Sequence, residues 1–330
     1  MTRAEANRCR FEPGTDTGHY ESYFLRANHP ERALAFWIRY TFFRPVGKPH
    51  EAVGEVWAVY FDGEAGTIAA AKEVFPLQEC RIGDAGLDLE IGASRLDLAQ
   101  MRGAATDTAH ALAWAMQYTS PQAPMLLLPA SLYAAAMPRA KALVAAPSAV
   151  FIGSLQLNGK VIDIDGWTGS QNHNWGSRHT DAYAWGQVAG FDGAPEVFLE
   201  CASARLKVGP FWTPSMSLVV LRIGEQEFSL NGLPQSVRTR ARTALFSLEI
   251  DARSRDLRIT LSMRAARADF AGLAYANPPG GEKACLNTKL AACRLTVEQR
   301  GQPGRTYSTR HRAAFEILTD RHDHGVPMLA

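Results

Sequence analysis

The sequence predicts an all-β protein made of antiparallel barrels or sandwiches, with the chain divided into two units. Three observations carry this. Short stretches rich in aromatic and β-branched residues recur along nearly the whole chain. Turns of two to four residues, such as Asn158-Gly159, Gly224-Glu225 and Ser254-Arg255, join many of them. No strand–helix–strand alternation of the kind that builds a parallel sheet is present.

The elements follow in order. Residues 20–27 (YESYFLRA) and 34–44 (LAFWIRYTFFR) read as a hairpin across the Pro-containing turn NHPER. Residues 55–61 (EVWAVYF) make a third strand and 67–75 a fourth. Shorter alternations at 87–91 and 95–98 come next, each bounded by Gly or Asp. The run at 111–118 (ALAWAMQY) fits strand or helix, because a short apolar run does not reveal its period. Residues 120–147 hold five prolines and are expected to contain one short helix at 131–136, stopped by Pro138. This stretch is the expected crossing between a first domain, residues 1–147, and a second, residues 148–330. Strands then resume at 149–157, 160–167, 181–189, 196–204, 217–223, 227–230, 244–250, 257–265, 284–299 and 312–318. The final stretch, DRHDHGVPMLA, reads as a loose polar tail in preference to a His322/His324 metal site.

Composition narrows the function. Hydrophobic residues are 46% and charged residues 21% of 330, which excludes wholesale disorder. With 35 basic and 33 acidic residues the net charge is +2, so nothing global attracts nucleic acid. Arg238, Arg240 and Arg242 alternate with small or apolar residues and read as a solvated strand face. Five scattered cysteines with no C-x-x-C argue for reduced thiols without disulfides or a zinc knot. The N-terminal residues lack the apolar core of a secretory signal, and no run reaches the ~18 apolar residues of a spanning helix. The expectation is a cytoplasmic protein without a transmembrane segment, with peripheral membrane contact left open and oligomeric state unread. Nucleotide, phosphate and zinc-protease motifs are absent, so neither a metal nor another cofactor is expected.

The most informative segment is 161–189. If 160–167 is a strand, Asp163, Asp165 and Trp167 share a face. His173 and Trp175 share a face, with Asn174 opposite. In the strand from 181, one side carries Asp181, Tyr183, Trp185 and Gln187, and the other carries Ala182, Ala184, Gly186 and Val188. Polar-tipped aromatics beside carboxylates suit the wall of a cavity for an apolar ligand. A buried Asp163, Asp165 or Asp181 would hold a proton for delivery, and His173 or His179 would relay one. The plainer reading makes His-Asn-Trp-Gly a turn in which Trp175 plugs a barrel end. Trp37, Trp57, Trp114 and Trp212 read as core, Cys201 as a small core residue, and Glu21 and Glu200 as solvated positions on otherwise apolar strands.

The stretch Gly166-Trp167-Thr168-Gly169-Ser170-Gln171-Asn172-His173-Asn174-Trp175-Gly176, followed by Ala182-Tyr183-Ala184-Trp185, resembles the superfamily of carotenoid 1,2-hydratases (hydroxyneurosporene synthases), AttH-like proteins and tocopherol cyclase. The N-terminal YESYFLRANHP and FWIRYT resemble its opening strands. The resemblance implies two tandem lipocalin-like antiparallel barrels with one or two short helices and a hydrophobic cavity. It gives His173 and Trp175 a part in hydrating a terminal double bond. The Tyr-x-Asp that accompanies them in the hydratases has no counterpart in residues 197–204 (VFLECASA). Two functions result. One is a cofactor-free hydratase, cyclase or isomerase acting on an isoprenoid or polyene. Its acid–base residues would be Asp163, Asp165, His173 and Asp181, and its pocket Trp167, Gln171, Asn172, Asn174, Trp175, His179, Tyr183 and Trp185. The other is a lipocalin-like carrier of a lipophilic small molecule without chemistry. A scaffold with filled barrels is the weakest reading.

Overall fold

The computed structural model describes residues 1–83 and 86–330. Nearly every apolar run becomes a strand, and the strands form two large antiparallel sheets in tandem. From edge to edge, the first runs Thr67–Pro76, Val53–Asp62, Leu34–Arg44, His19–Asn28, Lys160–Gly176, Ala140–Leu157, Ala111–Thr119, Gln100–Thr106, Ser94–Asp97, Asp88–Ile91 and Cys80–Ile82. The second runs Gln226–Leu230, Met216–Ile223, Ala194–Arg205, Ala182–Phe191, Arg305–Thr319, Glu282–Gln299, Leu257–Arg264, Ser247–Arg253 and Arg240–Ala244. In both, the first strand in sequence pairs with the last, so the two sheets share one topological plan.

The first sheet curls into a nearly closed barrel. The Tyr40 hydroxyl donates across it to the carbonyls of Arg95 (3.0 Å) and Arg102 (3.3 Å), and the Trp114 indole N–H donates to that hydroxyl at 2.9 Å. Phe36, Tyr40, Trp114, Phe151 and Trp167 fill this barrel, whereas Val188, Leu221, Leu261 and Phe315 centre the second. A third apolar cluster, including Phe24, Trp37, Trp57, Trp185 and Leu273, lies between the sheets. Polar contacts join it: Arg26 Nε donates to Gln187 Oε1 at 2.7 Å and Arg312 Nη2 to Thr168 Oγ1 at 2.8 Å. Bulges bend the long Ala140–Leu157 strand against its partner Lys160–Gly176. Gly169 faces Ala27 on the neighbouring strand, where a Cβ would lie 1.7 Å from the Arg26 carbonyl oxygen, so no larger residue fits without moving backbone.

Several expectations change. The boundary expected at residue 147 falls inside the Ala140–Leu157 strand of the first sheet, and sheet membership changes between Gly176 and Ala182. The Pro-rich stretch is an excursion from the first sheet that packs on the second. Met125 and Leu127 join Ala189, Phe198 and Val220 in a common cluster, and Arg222 Nη1 holds the Ala123 carbonyl at 2.9 Å. Its expected helix is a single 3-10 turn, Ala130–Tyr133, and the two short α-helices among the described residues are Arg3–Ala6 and Leu233–Arg238. The His-Asn-Trp-Gly motif is not a turn but the end of a 17-residue strand. Trp212 is 41% exposed rather than core. The C-terminal tail is docked: Val326 is buried, and Ala274 N–H donates to the Ala330 carbonyl at 2.7 Å.

Candidate functional site

A cavity of about 420 Å³ lies between the two sheets, within the size range of sites for drug-sized ligands. Alternation places its walls. From His19–Asn28 and Lys160–Gly176 the even positions face it: Tyr20, Ser22, Phe24, Asn172 and Asn174. From Leu34–Arg44 come Trp37 and Arg39, and from Ala182–Phe191 come Tyr183 and Trp185. Glu200 and Ala202 of Ala194–Arg205 close one side, with Tyr275 and Glu316 beside them. The Pro-rich excursion roofs it with Leu127, Leu132 and Met137, and Leu233 stands at the rim. Met137 and Leu233 are each more than half exposed, so the roof edge is apolar and open to solvent.

The distinctive group is Glu200. Trp185 Nε1 donates to its Oε1 at 2.7 Å and Gln187 Nε2 to its Oε2 at 2.8 Å. Gln187 is held in turn: its other N–H donates to Asn172 Oδ1 (2.9 Å), and its carbonyl accepts from Ser170 and Arg26, each at 2.7 Å. Burial disfavours the Glu200 carboxylate, and nearby Glu316 adds to this. The two N–H donors and Arg26 oppose it only in part, so the carboxyl pKa rises to about 7. A carboxyl in this range is both acid and base at neutral pH. Glu316 differs, because Lys289 Nζ pairs with it at 2.8 Å and Asn287 Nδ2 donates at 3.0 Å.

Across the cavity, His179 stacks on Tyr20 with ring centroids 4.0 Å apart. Its Nε2 lies 3.1 Å from the Ala276 carbonyl, which only accepts, so that nitrogen carries the proton and Nδ1 is the free lone pair. Burial, reinforced by the charge of Arg39, lowers its pKa to about 3 and keeps the ring neutral.

The predicted site residues divide sharply. Asn172, Asn174, His179, Tyr183 and Trp185 line the cavity. The four predicted acid–base residues do not. Asp163 and Asp165 are exposed on the solvent side of their strand. Asp181 accepts from the Lys207 N–H at 2.8 Å and from the Arg178 guanidinium, clasping a loop. His173 is on the opposite face of its strand from the cavity, completely buried. Its Nδ1 is 2.8 Å from the Ala6 carbonyl and its Nε2 2.8 Å from Glu21 Oε1, and Tyr23 stacks on it at 4.2 Å. Glu21, expected in solvent, also takes the Arg10 N–H at 2.9 Å, His19 at 3.1 Å and the Tyr23 hydroxyl at 3.1 Å. Burial raises its carboxyl pKa, but the His173 and His19 hydrogen bonds outweigh that and hold it well below the usual carboxylate range. Trp175 is covered by Arg10, 3.7 Å from the ring centroid. Gln171 exchanges paired amide hydrogen bonds with Asn7 at 2.8 and 2.9 Å, and Trp167 is core of the first barrel. Thus Gln171, His173 and Trp175 anchor the N-terminal segment. Sequence reasoning underrated Glu200. The available signal was a lone carboxylate in the apolar run VFLECASA, paired in register with Gln187.

Comparison with known proteins gives a family and a shared fold. The family model described as tocopherol cyclase-like matches residues 106–317. An uncharacterized protein of Mycobacterium tuberculosis, in strains CDC 1551 / Oshkosh and ATCC 25618 / H37Rv, is 24% identical over 296 residues, covering 89% of this chain and 85% of that protein. Two crystal structures share the fold. A protein assigned as AttH from Nitrosomonas europaea has a TM-score of 0.54 at 13% identity, with 97% of this chain and 99% of that one covered. Kievitone hydratase from Nectria haematococca has a TM-score of 0.53 at 11% identity, with 97% and 96% covered.

Proposed function

We propose that this chain, which belongs to the tocopherol cyclase-like family, is an acid–base hydratase or cyclase acting on a lipophilic isoprenoid or polyene in the cavity between its sheets. The observation that carries the reading is the Glu200 carboxyl, buried in an aromatic wall and held protonated to about pH 7. In the proposed reaction, the Glu200 O–H bond breaks and a C–H bond forms at one alkene carbon, using the π electrons. The cationic carbon that results lies against the faces of Trp37, Trp185 and Tyr183, whose quadrupoles favour positive charge. An oxygen then adds, from water in a hydratase or from the ligand's own hydroxyl in a cyclase. Its proton returns to Glu200, directly or by way of His179 Nδ1, and re-forms the O–H bond broken in the first step. The side chains themselves complete this cycle without a cofactor. The walls also hold the ligand in one folded conformer.

Entry from a membrane surface suits such a ligand. The hairpin of Lys207–Val208 and Phe211–Trp212 exposes Val208, Phe211 and Trp212 beside Leu206, a cavity residue. No helix among the described residues is long and apolar enough to cross a membrane. A cytoplasmic location agrees with five free cysteines. The direct test is mass spectrometry of lipophilic material extracted from the purified protein, followed by incubation of the recovered compound with wild type and Glu200→Gln. A hydrated or cyclised product with wild type alone supports the reading. A compound returned unchanged by both makes the protein a carrier.

A further inference from the structure

We infer that the cavity holds a carboxylate-bearing ligand, with the carboxylate bound by Arg39. The inference deepens the proposed function by naming the substrate class. Arg39 lines the cavity, is buried, and donates from none of its N–H groups to any described residue; its Nε is sealed from solvent without a partner. The neighbouring carboxylates are engaged elsewhere. Glu55 pairs with Lys72 at 2.8 Å, Glu316 pairs with Lys289 at 2.8 Å, and Glu200 takes its two N–H donors from Trp185 and Gln187. What Arg39 does touch is aromatic: its guanidinium carbon is 4.2 Å from the Tyr275 ring centroid and 5.9 Å from that of Trp57. Cation–π contact offsets part of the desolvation of this buried cation but leaves its N–H donors without an acceptor.

Three phenols gather around the same end. Tyr20 and Tyr275 flank His179, with ring centroids 4.0 and 5.8 Å from the imidazole, and Tyr183 lines the wall two residues before Trp185. The Tyr20 and Tyr183 hydroxyls hydrogen-bond no described residue, Tyr275 meets only the Cys285 thiol, and burial keeps all three protonated and therefore able to donate. A guanidinium fork plus neutral hydroxyls matches a carboxylate, which is planar and carries one negative charge. The other cation in the lining, Lys141, is held by the Ala135 and Pro138 carbonyls at 2.7 and 2.9 Å, and Arg39 alone is too little for a diphosphate. Two residue steps along the strand separate Tyr183 from Trp185 by ~7 Å. A carboxylate on Arg39 therefore brings carbons a few bonds from it toward Glu200, with the hydrocarbon tail under Leu127, Leu132 and Leu218.

The test uses cis-parinaric acid, its methyl ester and farnesyl diphosphate as probes, with polyene fluorescence for the first two and competition for the third. Wild type is expected to bind the acid at least ~10-fold more tightly than the ester. Arg39→Met should bind both equally, Arg39→Lys should restore part of the preference, and Tyr183→Phe should reduce it. Circular dichroism confirms that each variant is folded. Equal binding of acid and ester by wild type, a preference that survives Arg39→Met, tighter binding of farnesyl diphosphate than of the acid, or no binding of any probe would each overturn the inference. Glu200→Gln separates this from the catalytic reading. An acid preference kept in Glu200→Gln with turnover lost supports both, whereas turnover kept in that variant sinks the chemistry and leaves the carboxylate site standing.

Discussion

Trp185 and Glu200 are diagonal neighbours on paired strands, and the Trp185 indole N–H donates to the Glu200 carboxyl at 2.7 Å inside the cavity wall. The aromatic surface suited to a cation and the group suited to supplying a proton are thus one unit. Gln187 holds the second carboxyl oxygen.

If Glu200 is the proton donor, Glu200→Gln lowers kcat by about 10²–10⁴-fold, the usual worth of a positioned acid. The acid step in wild type should run below pH 7 and fall as pH rises through about 7, where Glu200 loses its proton. Steady-state rates from pH 5 to 9 check this. A profile flat through pH 7 would exclude Glu200 as the acid.

The same carboxyl links folding to pH. Its folded pKa, about 7, lies above the ordinary glutamate value of 4.5, so the folded state holds the proton more tightly. The associated stability is full below pH 4.5 and is lost between pH 4.5 and 7. Over that window wild type should lose on the order of 3 kcal/mol more than Glu200→Gln in urea titrations. Parallel curves for the two proteins would refute the shift.

Trp185→Phe keeps the ring but deletes the donor that favours the carboxylate. The Glu200 pKa should rise, moving the falling limb of the pH–rate profile to higher pH. A limb that moves to lower pH would mean that the indole N–H does not act on Glu200.

His173→Ala should act on the fold. It removes both the Ala6 and Glu21 contacts and leaves a buried carboxylate short of a partner. A loss of about 3–5 kcal/mol is expected, as for other broken buried pairs. Chemical denaturation measures it. A variant as stable as wild type but inert toward substrate would return His173 to the chemistry.

His179 should remain neutral well below the usual histidine range, since burial and then Arg39 hold its pKa near 3. Its imidazole resonances, identified by loss in His179→Gln, should not titrate between pH 8 and 5 in nuclear magnetic resonance spectra. An inflection near pH 6.5 would place the ring in solvent.

Much of the fold was legible in the sequence because antiparallel strands announce themselves locally. Aromatic and β-branched runs ended by Gly, Asn and Pro marked most strands, and the 181–187 alternation marked the cavity wall through Tyr183 and Trp185. The expected acid–base residues lie outside the cavity for a different reason. Apart from half-buried Asn174, residues 170–176 are buried on both faces, so hydrophobicity carries no inside–outside contrast there. The odd positions, His173 among them, turned to the N-terminal segment, and the even ones, Asn172 and Asn174, turned to the cavity.

By itself the sequence determined an all-β chain, its strands, and a polar-aromatic strand face unsuited to solvent. Tertiary structure decided which carboxylates are buried. Asp163 and Asp165 lie on an outward face, while Glu200, from a strand ~35 residues later, meets Trp185 and Gln187 through strand pairing. A raised carboxyl pKa requires loss of water on every side. That loss depends on how two sheets close over a side chain, which no local pattern of residues specifies.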